Sequence, residues 1–171
     1  MVTPSPALVP LGAHTQLVQT RHGWMLANPN DFYLGRALIE YGECSELESA
    51  VLRQLLVQPG IVVEVGANIG VHTIMLAREA QARRQVLVAF EPQPVIFQNL
   101  CANLAANGVR NVLAWPYACG AAPGRCISRN RTTMRWATLA ACRCRPRPQR
   151  TRSRFRACGW TMRCAHIPWG C

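Results

Sequence analysis

From Cys44 to Gly120 the apolar positions alternate between two patterns, short unbroken runs and stripes recurring every third or fourth residue. The first stripe lies in CSELESAVLRQLLVQPG, where Leu47, Val51, Leu52, Leu55 and Leu56 recur at helical spacing and Pro59-Gly60 ends the segment. Ser45 followed by Glu48 predicts a capping box, in which the hydroxyl and the carboxylate satisfy free backbone N–H groups at the helix start. The unbroken β-branched run IVVEV, residues 61–65, predicts a buried parallel strand. A glycine turn, residues 66–70, then leads into a helix carrying Ile74, Met75 and Leu76. VLVAF, residues 86–90, is a second buried strand that ends at Glu91-Pro92. PVIFQNLCANLAANG is a helix with Phe97, Leu100, Cys101 and Leu104 on one face and Gly108 as its C-cap. NVLAWPYACG predicts a third strand, at an edge or bulged because Pro116 has no N–H for a ladder. Strands alternating with helices imply an α/β domain with a parallel sheet and right-handed crossovers. Residues 14–42 mix short apolar runs with the turn signals HG and NPND, which predicts one or two short strands and a connecting segment. Beyond Gly124 neither period continues, and there are no internal repeats.

Charge divides the chain at the same place. The net charge of +11 over 171 residues points first to nucleic acid or a membrane surface. Residues 1–124, however, hold seven Arg and eight acidic residues, a net −1, whereas residues 125–171 hold twelve Arg and no acid. No carboxylate side chain follows Glu91, although a soluble chain is roughly 25% charged with both signs mixed. There is no Lys, which indicates a GC-rich coding sequence. Cys44, Cys101 and Cys119 are scattered and read as buried thiols, while six further cysteines crowd residues 126–171. The N-terminus has no basic segment followed by an apolar one, and no apolar run approaches the ~20 residues that span a bilayer. These features predict a cytoplasmic protein without a membrane span.

The candidate chemistry sits at the end of the first buried strand, in Glu64-Val65-Gly66-Ala67-Asn68-Ile69-Gly70. Open α/β sheets bind ligands at the carboxyl ends of their strands. Gly66 and Gly70 allow a tight turn and a close approach to a ligand, and a helix start favours an anionic group. Glu91, ending the second strand, could accept two ribose hydroxyls, while Glu64 could hold a cationic group near the turn. Two cofactors fit this layout. A dinucleotide site has G-x-G-x-x-G, but here Asn68 stands at the middle glycine and would crowd a pyrophosphate. S-adenosylmethionine, with an amino-acid end and no phosphate, suits the acidic turn better. A packing turn without a ligand is the minority reading.

PGIVVEVGANIGVHTIMLA, VLVAFEPQPVIFQNLCANLAANG and NVLAWPYACGAAPG together resemble the FkbM family of S-adenosylmethionine-dependent methyltransferases, and YGECSELESAVLRQLL has the look of its entry helix. The resemblance covers residues ~20–124 and implies a Rossmann-like class I methyltransferase fold. It implies that Glu64, Gly66, Ala67, Asn68 and Gly70 line the methionine end of the cofactor, that Glu91 binds the ribose, and that Pro92 shapes the loop beside the adenine. His72 and Thr73 match its pattern, either as direct contacts or as first-turn residues that cap the loop. The family commonly has Asp where this chain has Glu64, which reaches one methylene further. The implied reaction is O-methylation of a small-molecule or glycan hydroxyl, often on a sugar or natural product, with positioning supplying most of the acceleration. No general base is identified.

Three readings compete for residues 125–171. A basic nucleic-acid arm would explain the Arg, but the tryptophans form no regular stacking array. A zinc or disulfide module would explain the Cys, but Cys142-Arg143-Cys144 and the other spacings match no familiar ligand pattern. A frameshift in GC-rich DNA explains both. Joining each codon's third base to the next codon's first two permits PDYxALGNFGGVSL over residues 130–144 and LDDAL over residues 159–164, strings that look like later segments of the same family. Trp136-Ala137 forces a Gly and Trp160-Thr161 forces an Asp, in agreement with those strings. The sequence thus predicts a lead-in at 1–43, a cofactor-binding Rossmann-like half-domain at 44–124, and an out-of-frame, mostly disordered Arg/Cys-rich tail at 125–171. It further predicts an incomplete sheet with an uncovered apolar edge at the third or a later strand, little or no methyl transfer, and no specific nucleic-acid partner. A non-catalytic Arg-rich nucleic-acid-binding protein on the same scaffold is the alternative.

Overall fold

The computed structural model describes residues 6–120 and two short stretches, Arg125–Ile127 and Thr133–Thr138. The chain opens with an antiparallel meander of β1 (Leu8–Gly12), β2 (Thr15–Thr20) and β3 (Gly23–Ala27), followed by a helix, α1 (Leu34–Tyr41). Residues 14–42 therefore hold two strands, as expected, with β1 before them, and the connecting segment is helical. Val18, Met25, Ala27 and Leu38 turn inward from these elements and join the same core as the residues that follow.

Next come α2 (Glu46–Leu55), β4 (Val62–Val65), α3 (Val71–Ala82), β5 (Leu87–Phe90), α4 (Pro94–Ala106) and β6 (Val112–Trp115). The three strands form a parallel sheet in the order β4-β5-β6, with Val62 beside Leu87 and Leu87 beside Val112. This is an α/β Rossmann-like arrangement: the alternation of periods predicts the parallel sheet, and the resemblance implies its Rossmann-like form. All four residues of β5 are buried, as a central parallel strand requires. Ile74, Met75 and Leu76 of α3 are buried as well, each contributing about 1.5–3 kcal/mol by leaving water. Gly108, with φ 63°, follows α4 in the left-handed conformation expected at a helix end.

Pro116 divides the predicted third strand. β6 stops before it and β7 (Tyr117–Gly120) begins after it in a different sheet, ordered β7-β9-β8 with β8 (Arg125–Ile127) and β9 (Thr133–Thr138). Two short strands thus lie in a stretch where the sequence shows no strand alternation. The remaining residues of 125–171, for which disorder and a frameshift are predicted, lie outside the described residues.

Three local expectations are corrected. Ser45 has φ 57°, not the extended backbone of an N-cap, and makes no capping hydrogen bond; Glu48 turns instead to His72 on α3. Cys101 is exposed, because the buried stripe of α4 runs through Leu100, Asn103 and Leu104. The apolar stripe of α2 is only half used: Leu56 is buried, but Leu47 is 86% and Leu55 68% exposed.

Both outer strands of the parallel sheet lack a further neighbour among the described residues. One is β6, the third strand. The other is β4. Its Val62 and the following Gly66 donate N–H groups to Val86 and Phe90, so the intervening Val63 and Val65 direct theirs to the open side. Both side chains are about half exposed, at 48% and 55%. An apolar strand with free backbone groups is a template for pairing with another chain. Sedimentation of the purified chain should show concentration-dependent association that Val63→Lys and Val65→Lys together reduce. Equal association of the double variant would locate the contact elsewhere.

Candidate functional site

The turn after β4 departs sharply from the extended backbone. Gly66, Asn68 and Gly70 have φ values of 78°, 51° and 96°, so three of five residues are left-handed. The N–H groups of Gly66 and Ala67 both donate to the Phe90 carbonyl, at 2.8 and 3.0 Å, which fixes the turn to the end of β5. Asn68 stabilises its own left-handed backbone by accepting the Ile69 N–H on Oδ1 at 2.8 Å. Gly70 N–H closes the turn on the Ala67 carbonyl at 3.0 Å.

The two glycines have different reasons. A Cβ on Gly66 would meet nothing within 4 Å, so that side of the turn is open. A Cβ on Gly70 would lie 2.8 Å from Leu100 Cδ1, so this glycine lets α3 start against α4. Ala67 is buried beneath the turn while Asn68 is exposed upon it.

Glu91 leaves β5 and turns inward, only 4% exposed. One carboxylate oxygen accepts the Asn68 N–H at 3.0 Å and the other accepts the Gln93 N–H at 2.9 Å. Glu91 therefore ties the turn to the start of α4, with Pro92 half-buried between them. A carboxylate has about four acceptor positions. Each oxygen thus keeps capacity for one more donor.

Glu64 is the charged residue of β4, and burial pushes its carboxyl up to about 7. Its Oε2 is buried without a hydrogen-bond partner. The Thr73 hydroxyl, the neighbour that favours the charged form, does not complete a hydrogen bond with it. Glu64, Gly66 and His72 line a cavity of about 320 Å³ whose other walls are mostly Leu and Val from α2, β4 and α3. An orphaned carboxyl against an apolar wall, next to an open turn, is a place for a cationic group.

His72 does not reach over the turn. Its Nδ1 lies 3.2 Å from Ser49 Oγ and its Nε2 3.3 Å from Glu48 Oε2, so it links α3 to α2. Ser49 is fully buried, which makes this Ser–His–Glu contact a helix clamp and not a nucleophile. Thr73 is likewise buried beneath the turn.

The structure thus gathers Glu64, Gly66, Ala67, Asn68, Gly70 and Glu91 around one turn and turns His72 toward α2. It adds a residue that the sequence reading missed. Asn103 on α4 is fully buried and donates from Nδ2 to the Ile69 carbonyl at 2.8 Å. The available signal was the spacing of Asn99, Asn103 and Asn107, a polar row at every fourth position on an apolar helix. Among the described residues there is no group of three or more His, Cys, Asp or Glu able to hold a metal, and no helix long and apolar enough to cross a membrane.

No family model matches the chain. No curated protein matches it either. Among solved structures, the chain is similar to an S-adenosylmethionine-dependent methyltransferase from Agrobacterium tumefaciens, with 13% identity, TM-score 0.47, and coverage of 64% of this chain and 34% of that one. It is similar to TYW2 of M. jannaschii in complex with AdoMet, with 19% identity, TM-score 0.46, and coverage of 62% and 44%. It is similar to Trm5b of Pyrococcus abyssi, with 14% identity, TM-score 0.45, and coverage of 64% and 34%. The chain spans less than half the length of each of these proteins.

Proposed function

We propose that residues 44–124 form the cofactor-binding half of an S-adenosylmethionine-dependent methyltransferase of the FkbM type, acting on a hydroxyl of a small molecule or glycan. One observation carries this reading: the partly buried Glu64 near the end of β4, whose Oε2 is enclosed without a partner, beside a turn left open at Gly66. A buried carboxyl without a partner is costly in its charged form, and a cationic ligand group removes that cost. The amino-acid end of S-adenosylmethionine supplies such a group. Glu64 and the open backbone at Gly66 and Asn68 would hold that end, and the remaining acceptor capacity of Glu91 would take ribose hydroxyls. When bound, the cofactor supplies an electrophilic methyl on its sulfonium. The chain's own part is to orient that group and exclude water, since alignment of the reacting atoms lowers the barrier most. A dinucleotide is the poorer fit, because Asn68 projects where its pyrophosphate would need a glycine.

The edge of β4 left open among the described residues and the exposed stripe of α2 support the further reading that this chain lacks the elements that complete the sheet and build the acceptor pocket, as a frameshift between about residues 122 and 127 would produce. Calorimetric titration of the purified chain should detect S-adenosylhomocysteine and not NAD, with affinity reduced at least about tenfold by Glu64→Gln, a loss of about 1.4 kcal/mol. NAD binding of equal strength would overturn the cofactor assignment. Methyl transfer to hydroxyl acceptors should be negligible with this chain and should appear when the shifted frame is restored. Turnover by the chain as it stands would overturn the truncation.

A further inference from the structure

The outer edge of β3 is completed by a helix. β3 pairs with β2 through Leu26 beside Leu17 and Trp24 beside Gln19. On its other side, Asn103 Oδ1 accepts the Leu26 N–H at 2.7 Å, and Asn103 Nδ2 lies 3.4 Å from the Leu26 carbonyl. One turn along α4, Asn107 Oδ1 accepts the Trp24 N–H at 3.1 Å and its Nδ2 donates to the Trp24 carbonyl at 2.6 Å. Four helical residues rise about 6 Å and two strand residues about 6.8 Å, so carboxamides at i and i+4 match alternate strand residues. Gly23 permits the approach, since a Cβ there would lie 1.8 Å from Asn107 Oδ1. α4 thus serves as the neighbouring strand of the lead-in sheet.

Asn103 does more than Asn107, because its Nδ2 also donates to Ile69 in the middle of the glycine turn. We propose that Asn103 is a positioning residue that couples the lead-in sheet to the glycine turn: its pairing with Leu26 fixes the carboxamide whose donation to Ile69 sets the conformation of residues 67–70, and with it the affinity for the ligand. The last step rests on the cofactor reading above; the coupling itself does not. Ile69 is buried, so without Asn103 its carbonyl has no water to turn to and the turn must shift to find a donor.

Asn103→Asp tests this selectively. It keeps an acceptor for Leu26 but sets an oxygen against the Ile69 carbonyl. Asn107→Ala is the control, removing the clamp on Trp24 without touching the turn. Amide hydrogen exchange on the full chain should show Asn68, Ile69 and Gly70 exchanging at least tenfold faster in Asn103→Asp, with the β5 amides unchanged, and no such selective rise in Asn107→Ala. Where Asn103→Asp fails to fold, Asn103→Ser, whose short hydroxyl cannot bridge both partners, is read in the same way. Parallel acceleration of turn and β5 amides, or equal effects of the two positions, would overturn the coupling. S-adenosylhomocysteine affinity should fall about tenfold in Asn103→Asp and not in Asn107→Ala. Absence of binding to the unmodified chain would sink the cofactor reading while leaving the exchange result to judge the coupling.

Discussion

Raising the pH from about 5 to about 8 should lower the stability of the folded chain by up to about 3 kcal/mol through Glu64 alone, and Glu64→Gln should remove that part of the slope. Burial moves this carboxyl from its ordinary 4.5 to about 7. Between those values the native state keeps a proton that the unfolded chain has released. The native state therefore binds more protons, and stability declines as pH rises across that window. Above about 7 both states are ionised and this contribution is flat. Urea unfolding at pH 5, 6, 7 and 8 measures the slope in the two proteins. A wild-type curve no steeper than that of Glu64→Gln would mean that Glu64 is solvated in solution. A cationic ligand group beside the carboxylate lowers its pKa again, so S-adenosylhomocysteine binding near pH 7 should release protons.

Gly70→Ala should cost about 2–5 kcal/mol, the sum of two effects of about 1–2 and 1–3 kcal/mol. The first is backbone strain, because φ at Gly70 is 96°, in the region that L-residues rarely adopt. The second is crowding, because the new Cβ would lie 2.8 Å from Cδ1 of Leu100, itself fully buried. Leu100 cannot move freely in a close-packed interior, so α3 and α4 must separate slightly. Gly66→Ala meets no atom and bears only the backbone strain. Denaturant midpoints of the two variants should therefore differ, with Gly70→Ala the less stable. Equal midpoints would show that Leu100 yields at little cost. Ligand affinity reads the opposite preference, since a Cβ on Gly66 projects into the open side of the turn.

Local periodicity was enough to read β4, α3, β5 and α4 to within a residue or two at most ends, because the alternation between continuous apolar runs and helical stripes is a property of short segments. The turn between Glu64 and Gly70 was legible for the same reason: glycine at two positions of five has few local explanations. Partner choice was not legible. Glu91 is spent on the amides of Asn68, 23 residues away, and of Gln93. Glu48 abandons the capping box for His72, and Asn103 joins Leu26, 77 residues away, to Ile69. Each outcome is a competition between a local hydrogen bond and a remote one. For Glu91 and Asn103 burial decides it, because a polar group enclosed in the core must take whichever partner the packing presents; for the exposed Glu48 it is the left-handed backbone of Ser45 that removes the local partner. The alternation of elements therefore determined that there is a parallel sheet with a ligand-sized turn at its end. Only the tertiary structure decided that, among the described residues, β4 is an outer strand and Glu64 Oε2 is left unpartnered, and that α4 closes the lead-in sheet with two asparagines, since each depends on which surfaces meet in space.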